Sequence, residues 1–214
     1  MKRLNIKFLP ELEEMRIDEI GSYLTATTLW HPVKSINWPD QYPYKPTVKF
    51  MIARSGKSLY IHFKSEEKDC KAVYTEDHDP VWQDSCVEFF ALIPNEKGYA
   101  NFEFNCIGTC LATKRDARNV NIRPFSAEDM ATIERHASLG REAISIEDKI
   151  TWELTVKIPF KLLGITIVDK TVSLKANFYK CGDGTQNPHY LSWSEIETPT
   201  PDFHRPEFFG VLNL

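Results

Sequence analysis

The segment Asp79-Pro-Val-Trp-Gln-Asp-Ser-Cys-Val-Glu-Phe-Phe90 sets an aromatic side chain just ahead of an alternating apolar–polar run, and a carboxylate inside that run. In a strand, Val87 and Phe89 share one face and Glu88 takes the other, so Glu88 does not belong to the core side. Glu103 and Asn105 occupy the polar face of the next run, which a turn at Pro94-Asn-Glu-Lys-Gly98 would fold back beside the first. One tryptophan, Trp82, near three hydrogen-bonding side chains is what a sugar needs. The C–H face of the ring stacks on the aromatic plane, while carboxylates and amides take the hydroxyls. Glu88 and Glu103 are equally the pair of carboxyl groups that a glycoside hydrolase uses as acid and base. A third account needs no ligand: Trp82 as a lid on the core, with Glu88, Glu103 and Asn105 facing solvent, the default for an antiparallel sheet.

Other chemistry is harder to place. His62, His78, His136, His189 and His204 are dispersed, without HxH or HExxH spacing, so no metal site is expected from them. Met51 alternates with core-type residues and reads as packing, whereas haem ligation would need His or Met side chains converging on a pocket. The run Glu76-Asp77-His78-Asp79 has oxygen donors suited to a structural calcium ion, although a solvated loop accounts for it as simply.

The elements that would position Trp82 and Glu88 are strands. Ile150, Trp152, Leu154, Val156 and Ile158 alternate with Thr151, Glu153, Thr155 and Lys157, which predicts a strand with one buried and one wet face. Leu59, Ile61 and Phe63 alternate in the same way. Further strands are expected over 48–54, 86–93, 99–105, 109–114, 132–139, 172–181, 189–193 and 208–213. Ser55-Gly-Lys57, Pro94–Gly98 and Gly182-Asp-Gly184 supply turns. Helix is limited to short turns at Pro159-Phe-Lys-Leu-Leu-Gly164 and after Ser126, an N-cap residue. The fold class expected is all-β: an antiparallel β-sandwich with jelly-roll or immunoglobulin-like layers and one or two helical turns.

With 214 residues, 42% hydrophobic and 12% aromatic, the chain can build one core. A single domain over 1–214 is expected, with 1–45 as an N-terminal extension packing on it. A net charge of −4 without a basic stripe excludes phosphate-driven nucleic-acid binding and favours a neutral ligand. No apolar run approaches membrane-spanning length. The five cysteines lack CxxC pairing, and Met1–Ile20 has no apolar leader core, so a reduced cytoplasmic protein is expected. A leader outside this numbering would make it secreted or periplasmic. A monomer is expected.

Trp82-Gln-Asp-Ser-Cys-Val-Glu88 resembles the aromatic–Asp–Ser–Glu signature of family 9 carbohydrate-binding modules. Tyr99-Ala-Asn-Phe-Glu-Phe-Asn-Cys-Ile-Gly-Thr109, Trp152 through Gly164, Lys175-Ala-Asn-Phe-Tyr-Lys180, Trp193 and Phe203-His-Arg-Pro-Glu-Phe-Phe-Gly210 are similar to the family's later strands, in order, from about residue 45 onward. The resemblance implies non-catalytic binding of an oligo- or polysaccharide of glucan or xylan type, its terminal ring between two aromatic walls. Trp82 matches the first wall, Glu88 the carboxylate, Asn105 a polar contact and Lys180 a strand-end contact. Glu103 stands where members carry a basic residue. Trp193, Phe203 or His204 matches the second wall. Calcium is common among relatives, and the fold resembles the DOMON superfamily, which includes haem and redox binders.

Overall fold

A computed structural model describes residues 1–166 and 172–214. Two sheets face each other. The first runs Arg3–Asn5, Gly210–Asn213, Ser173–Cys181, Cys86–Leu92, Tyr99–Asn105, Cys110–Arg115 and Arg123–Pro124, and Tyr190–Ser192 pairs with the end of Ser173–Cys181 and with Ser35–Ile36. The second runs Glu134–Ala137, Ile150–Pro159, Ser58–Glu67, Thr47–Arg54 and Lys7–Phe8, with His31–Pro32 beside Thr47–Arg54. A small ribbon joins Cys70–Ala72 to Ile144–Ile146. Pairing is antiparallel except where Arg3–Asn5 and Lys7–Phe8 run parallel to their neighbours. The architecture is the expected all-β sandwich.

The alternating positions meet between the sheets. Trp152, Leu154, Val156 and Ile158 are fully buried there, as are Phe63, Phe89, Phe102 and Phe104. Phe50 and Phe178 stack with centroids 3.7 Å apart, and Trp193 meets both rings edge-on at 6.2 and 5.7 Å. Each such side chain withdrawn from water contributes roughly 1.5–3 kcal/mol. The expected turns are present: Ser126 Oγ accepts from the Asp129 amide at 3.2 Å, and Phe160–Leu163 ends on Gly164 at φ 63°.

Much of each outer face is covered, although on the second sheet Thr47, Glu66 and Thr151 stay exposed. Over the second sheet lies the helix Ile17–Thr27, whose Ile20 and Leu24 cover Met51, Ala53 and Tyr60. Gly21 lets the helix close on His62, whose ring lies 2.8 Å from where a Cβ would stand. His62, held by Thr155 Oγ1 at 2.9 Å, is driven by burial to a pKa of about 4. The first 45 residues therefore do more than pack on the domain: their short strands complete both sheets. Over the first sheet, Trp38, Phe203 and Phe209 form a second core with Phe90, Tyr99 and Tyr179. That cover is incomplete, and the gap in it is the candidate site.

Candidate functional site

Strand periodicity lays out the floor. On the outer face of the first sheet stand Cys86 and Glu88, then Asn101 and Glu103, then Leu111, Thr113 and Arg115. Glu88 is the direct partner of Glu103 on one side and of Tyr179 on the other. A cleft of about 480 Å³ opens above them, lined also by Trp82, Arg118, Asp183, Tyr190, Phe203 and His204.

The turn carrying Trp82 is held by the residues around it. The fully buried Asp84 carboxylate accepts from the Val73 amide at 3.1 Å, the Tyr74 amide at 3.2 Å and Asn105 Nδ2 at 3.0 Å. From the other side, the Asp183 and Gly184 amides donate to the Trp82 and Gln83 carbonyls at 3.3 and 2.8 Å. Trp82 remains 38% exposed, the most exposed of the five tryptophans. Within the motif the roles thus divide: Trp82 and Glu88 face the cleft, while Asp84 and Ser85 fasten the turn, Ser85 Oγ reaching Glu67 at 3.3 Å.

Glu88 and Glu103 are 3% and 4% exposed, so the solvated sheet face allowed by the sequence is not what forms. Burial pushes Glu88 well above the usual carboxylate range, and the Glu103 charge adds to it. Burial pushes Glu103 up to about 7, against the pull of Arg115 and of Asn101 Nδ2, which donates to Glu103 Oε1 at 2.8 Å. Two like charges opposed on adjacent buried strands repel strongly, so near neutrality the pair retains a proton. Arg115 is held by its Nε and Nη2 bonds to Thr113 Oγ1 at 3.0 and 2.9 Å and by Nη1 to the Arg118 carbonyl at 2.8 Å. Burial lifts Asp183 to about 6. His204, hydrogen-bonded to the Tyr99 hydroxyl at 2.8 Å, is lowered to about 3 by burial. The cleft thus offers neutral and charged acceptors beside one fixed guanidinium and aromatic faces.

Of the residues singled out from the sequence, Trp82, Glu88, Glu103 and His204 line the cleft, and so does Phe203. Asn105 does not: its amide is spent on the Tyr74 carbonyl, Asp84 and the Thr109 amide, making it a staple for the Trp82 turn. Lys180 points to the other face of its strand. Its ammonium, fully buried, lies 3.1 Å from Glu67 and donates to His189 Nε2 at 2.8 Å, while Glu67 also accepts from Trp152 Nε1 at 2.5 Å. This ion pair bridges the two sheets. Trp193 is core, against Phe50 and Phe178, and is not a cleft wall. The acidic run is also committed in part: Asp77 binds Arg135 at 2.7 and 2.9 Å and accepts from the Cys110 amide. Arg115, Asp183, Tyr42 and Tyr190 were not singled out. Arg115 was within reach of the pairing logic that joined Glu88 to Glu103, since it follows Leu111 and Thr113 on one face. The tyrosines come from loops with no local signal.

A β-sandwich with a cleft edged by aromatic side chains over buried carboxylates has the build of a sugar-binding module. The model of carbohydrate-binding family 9 matches residues 22–214, and the chain belongs to that family. A solved structure from Bacteroides uniformis, described as a candidate carbohydrate-binding protein, is 36% identical with a TM-score of 0.92, covering 99% of this chain and 98% of that one. Two structures of a family 9 module from Caldicellulosiruptor kristjanssonii share the fold at 11% identity. The glucose complex has a TM-score of 0.58 and the cellotriose complex 0.61; both cover 99% of this chain, with 95% and 93% of theirs. No curated protein matches the chain.

Proposed function

We propose that the protein binds the end of a glucan- or xylan-type saccharide in the cleft and does not cleave it. The carrying observation is Trp82, an indole held exposed on a fastened turn at the edge of a floor made by Glu88 and Glu103. A sugar ring stacks on Trp82, and Glu88, Glu103 and Arg115 take its hydroxyls. The second wall comes from Phe203 and His204, since Trp193 is committed to the core. The Caldicellulosiruptor modules bound to glucose and cellotriose support this ligand class. Affinity is modest, because a partly open site gains one or two stacking contacts and a few hydrogen bonds against water.

Calorimetry of the protein against mono- and oligosaccharides of glucose and xylose tests the reading, with a reducing-sugar assay on the same ligands alongside. Saturable binding without release of reducing ends is expected. Release that is abolished in Glu88→Gln would instead make Glu88 and Glu103 a hydrolytic pair.

A further inference from the structure

The cleft floor holds two thiols that the saccharide reading leaves unused, and they stand beside Glu88. Cys86 and Glu88 lie two residues apart on one strand and so share a face, and Cys181 is the direct partner of Cys86 on the adjacent strand. One donor atom from each, two sulfurs and a carboxylate oxygen, all lie within 4.8 Å of one another. Cys181 Sγ is 3.0 Å from Glu88 Oε1 and 3.5 Å from the Trp82 carbonyl oxygen. Cys181 and Glu88 line the cleft, and Cys86 closes the set from behind, fully buried.

We propose that Cys86, Cys181 and Glu88 form a binding site for a thiophilic divalent cation of the Zn2+ or Cd2+ type, its fourth position open to the cleft. Tetrahedral zinc holds sulfur at about 2.3 Å and carboxylate oxygen at about 2.0–2.2 Å, which spaces its ligands roughly 3.3–3.8 Å apart. To reach that spacing Cys181 Sγ and Glu88 Oε1 part by about half an ångström from 3.0 Å, and the other separations, none above 4.8 Å, close by about 1 Å at most. Two thiolates and one carboxylate select soft and borderline ions over Ca2+ or Mg2+. Three protein ligands with one open position is the coordination of an accessible zinc site. Binding is a proton exchange. The cation displaces the protons of both thiols and that of Glu88 when it is protonated, leaving a site of net charge −1, so affinity rises with pH. A cation there occupies the Glu88 carboxylate. If the cleft also binds sugar as proposed above, the two ligands exclude each other, but ion uptake itself does not depend on that reading.

The test uses the full chain, reduced and stripped with a chelator, titrated with Cd2+ and followed by the ultraviolet thiolate-to-cadmium charge-transfer band. One Cd2+ per chain is expected, displaced by Zn2+ and indifferent to excess Ca2+ or Mg2+. The band is lost in Cys86→Ser and in Cys181→Ser. It persists in the Cys70→Ser, Cys106→Ser double variant, which removes the other close thiol pair, whose sulfurs are 3.2 Å apart. Circular dichroism checks that each variant folds. Should a serine variant fail to fold, Glu88→Gln provides the reading, with an expected loss of about tenfold in Cd2+ affinity. No band in the wild type, an unchanged band in folded Cys86→Ser or Cys181→Ser, or an unchanged Cd2+ affinity in folded Glu88→Gln, overturns the proposal. Sugar binding is measured on the metal-free protein, so either reading can fail alone.

Discussion

Glu103→Gln turns the buried carboxyl pair into a measurement. In the folded protein Glu103 keeps its proton up to about pH 7, whereas in the unfolded chain it ionises near its ordinary 4.5. Between those values the folded state binds more protons, so this group's contribution to stability falls as pH rises from 4.5 through 7. The gap, at about 1.4 kcal/mol per pH unit, amounts to about 3 kcal/mol. Glutamine has the shape of the protonated acid and still accepts from Asn101 Nδ2. The variant is therefore expected to be more stable than wild type by up to about 3 kcal/mol near pH 8, and the gain should shrink towards zero near pH 5. Urea denaturation across that range reads it. Taking the difference between the two proteins cancels His62 and His204, which are common to both and slope the other way. Their pKa values, lowered to about 4 and about 3 from 6.5, make both proteins lose stability as pH falls below 6.5. A variant whose advantage is the same at both ends, or whose stability falls below wild type near pH 8, would refute the argument that Glu103 is a proton-holding buried acid.

Lys180→Met removes the buried cation beside Glu67, leaving it the hydrogen bonds from Trp152, Ser65 and Ser85, and is expected to cost about 3–5 kcal/mol in chemical denaturation. Adding Glu67→Leu should recover part of that loss. Trp193→Ala is expected to cost about 3–5 kcal/mol through the cavity beside Phe50 and Phe178, while Trp193→Phe, if folded, should bind saccharide as wild type does in calorimetry. Asp84→Ala strips the Trp82 turn of its acceptor and is expected both to lower the denaturation midpoint and to weaken saccharide binding without removing any cleft-lining side chain.

Much of the sandwich was legible because its signal is local. Runs such as Ile150–Ile158 state their pairing face in the order of their residues, and the Pro94–Gly98 turn makes the Glu88–Glu103 juxtaposition a matter of register. The covering of the outer faces was not legible. Tyr60, His62 and Met51 alternate with inter-sheet core residues, and distant residues, chiefly the helix Ile17–Thr27 with Leu9, Leu12 and Trp30, make them core as well. That helix advertises itself poorly: its buried stripe is Ile20, Gly21 and Leu24, it has no side-chain N-cap, and its threonines turn back on the backbone, as Thr25 does to the Gly21 carbonyl at 2.9 Å. The site was half legible for the same reason. Trp82 and Glu88 share one short segment, but Phe203 and Tyr190 reach the cleft through long-range packing. The resemblance places Lys180 near a strand-end contact and Trp193 among three candidates for the second wall, but their neighbours draw both into the interior: for Lys180 the carboxylate of Glu67 on the facing sheet, for Trp193 the rings of Phe50 and Phe178.

The most direct test of the account is a pair of calorimetric titrations with cellotriose, one on the wild type and one on folded Trp82→Ala. Loss of the stacking face is expected to weaken binding by about tenfold or more, roughly 1–2 kcal/mol, with a smaller loss of thermal stability than a core tryptophan would cause, because the indole is 38% exposed and joins none of the core clusters. Equal binding by the two proteins would contradict the assignment of the cleft as the saccharide site.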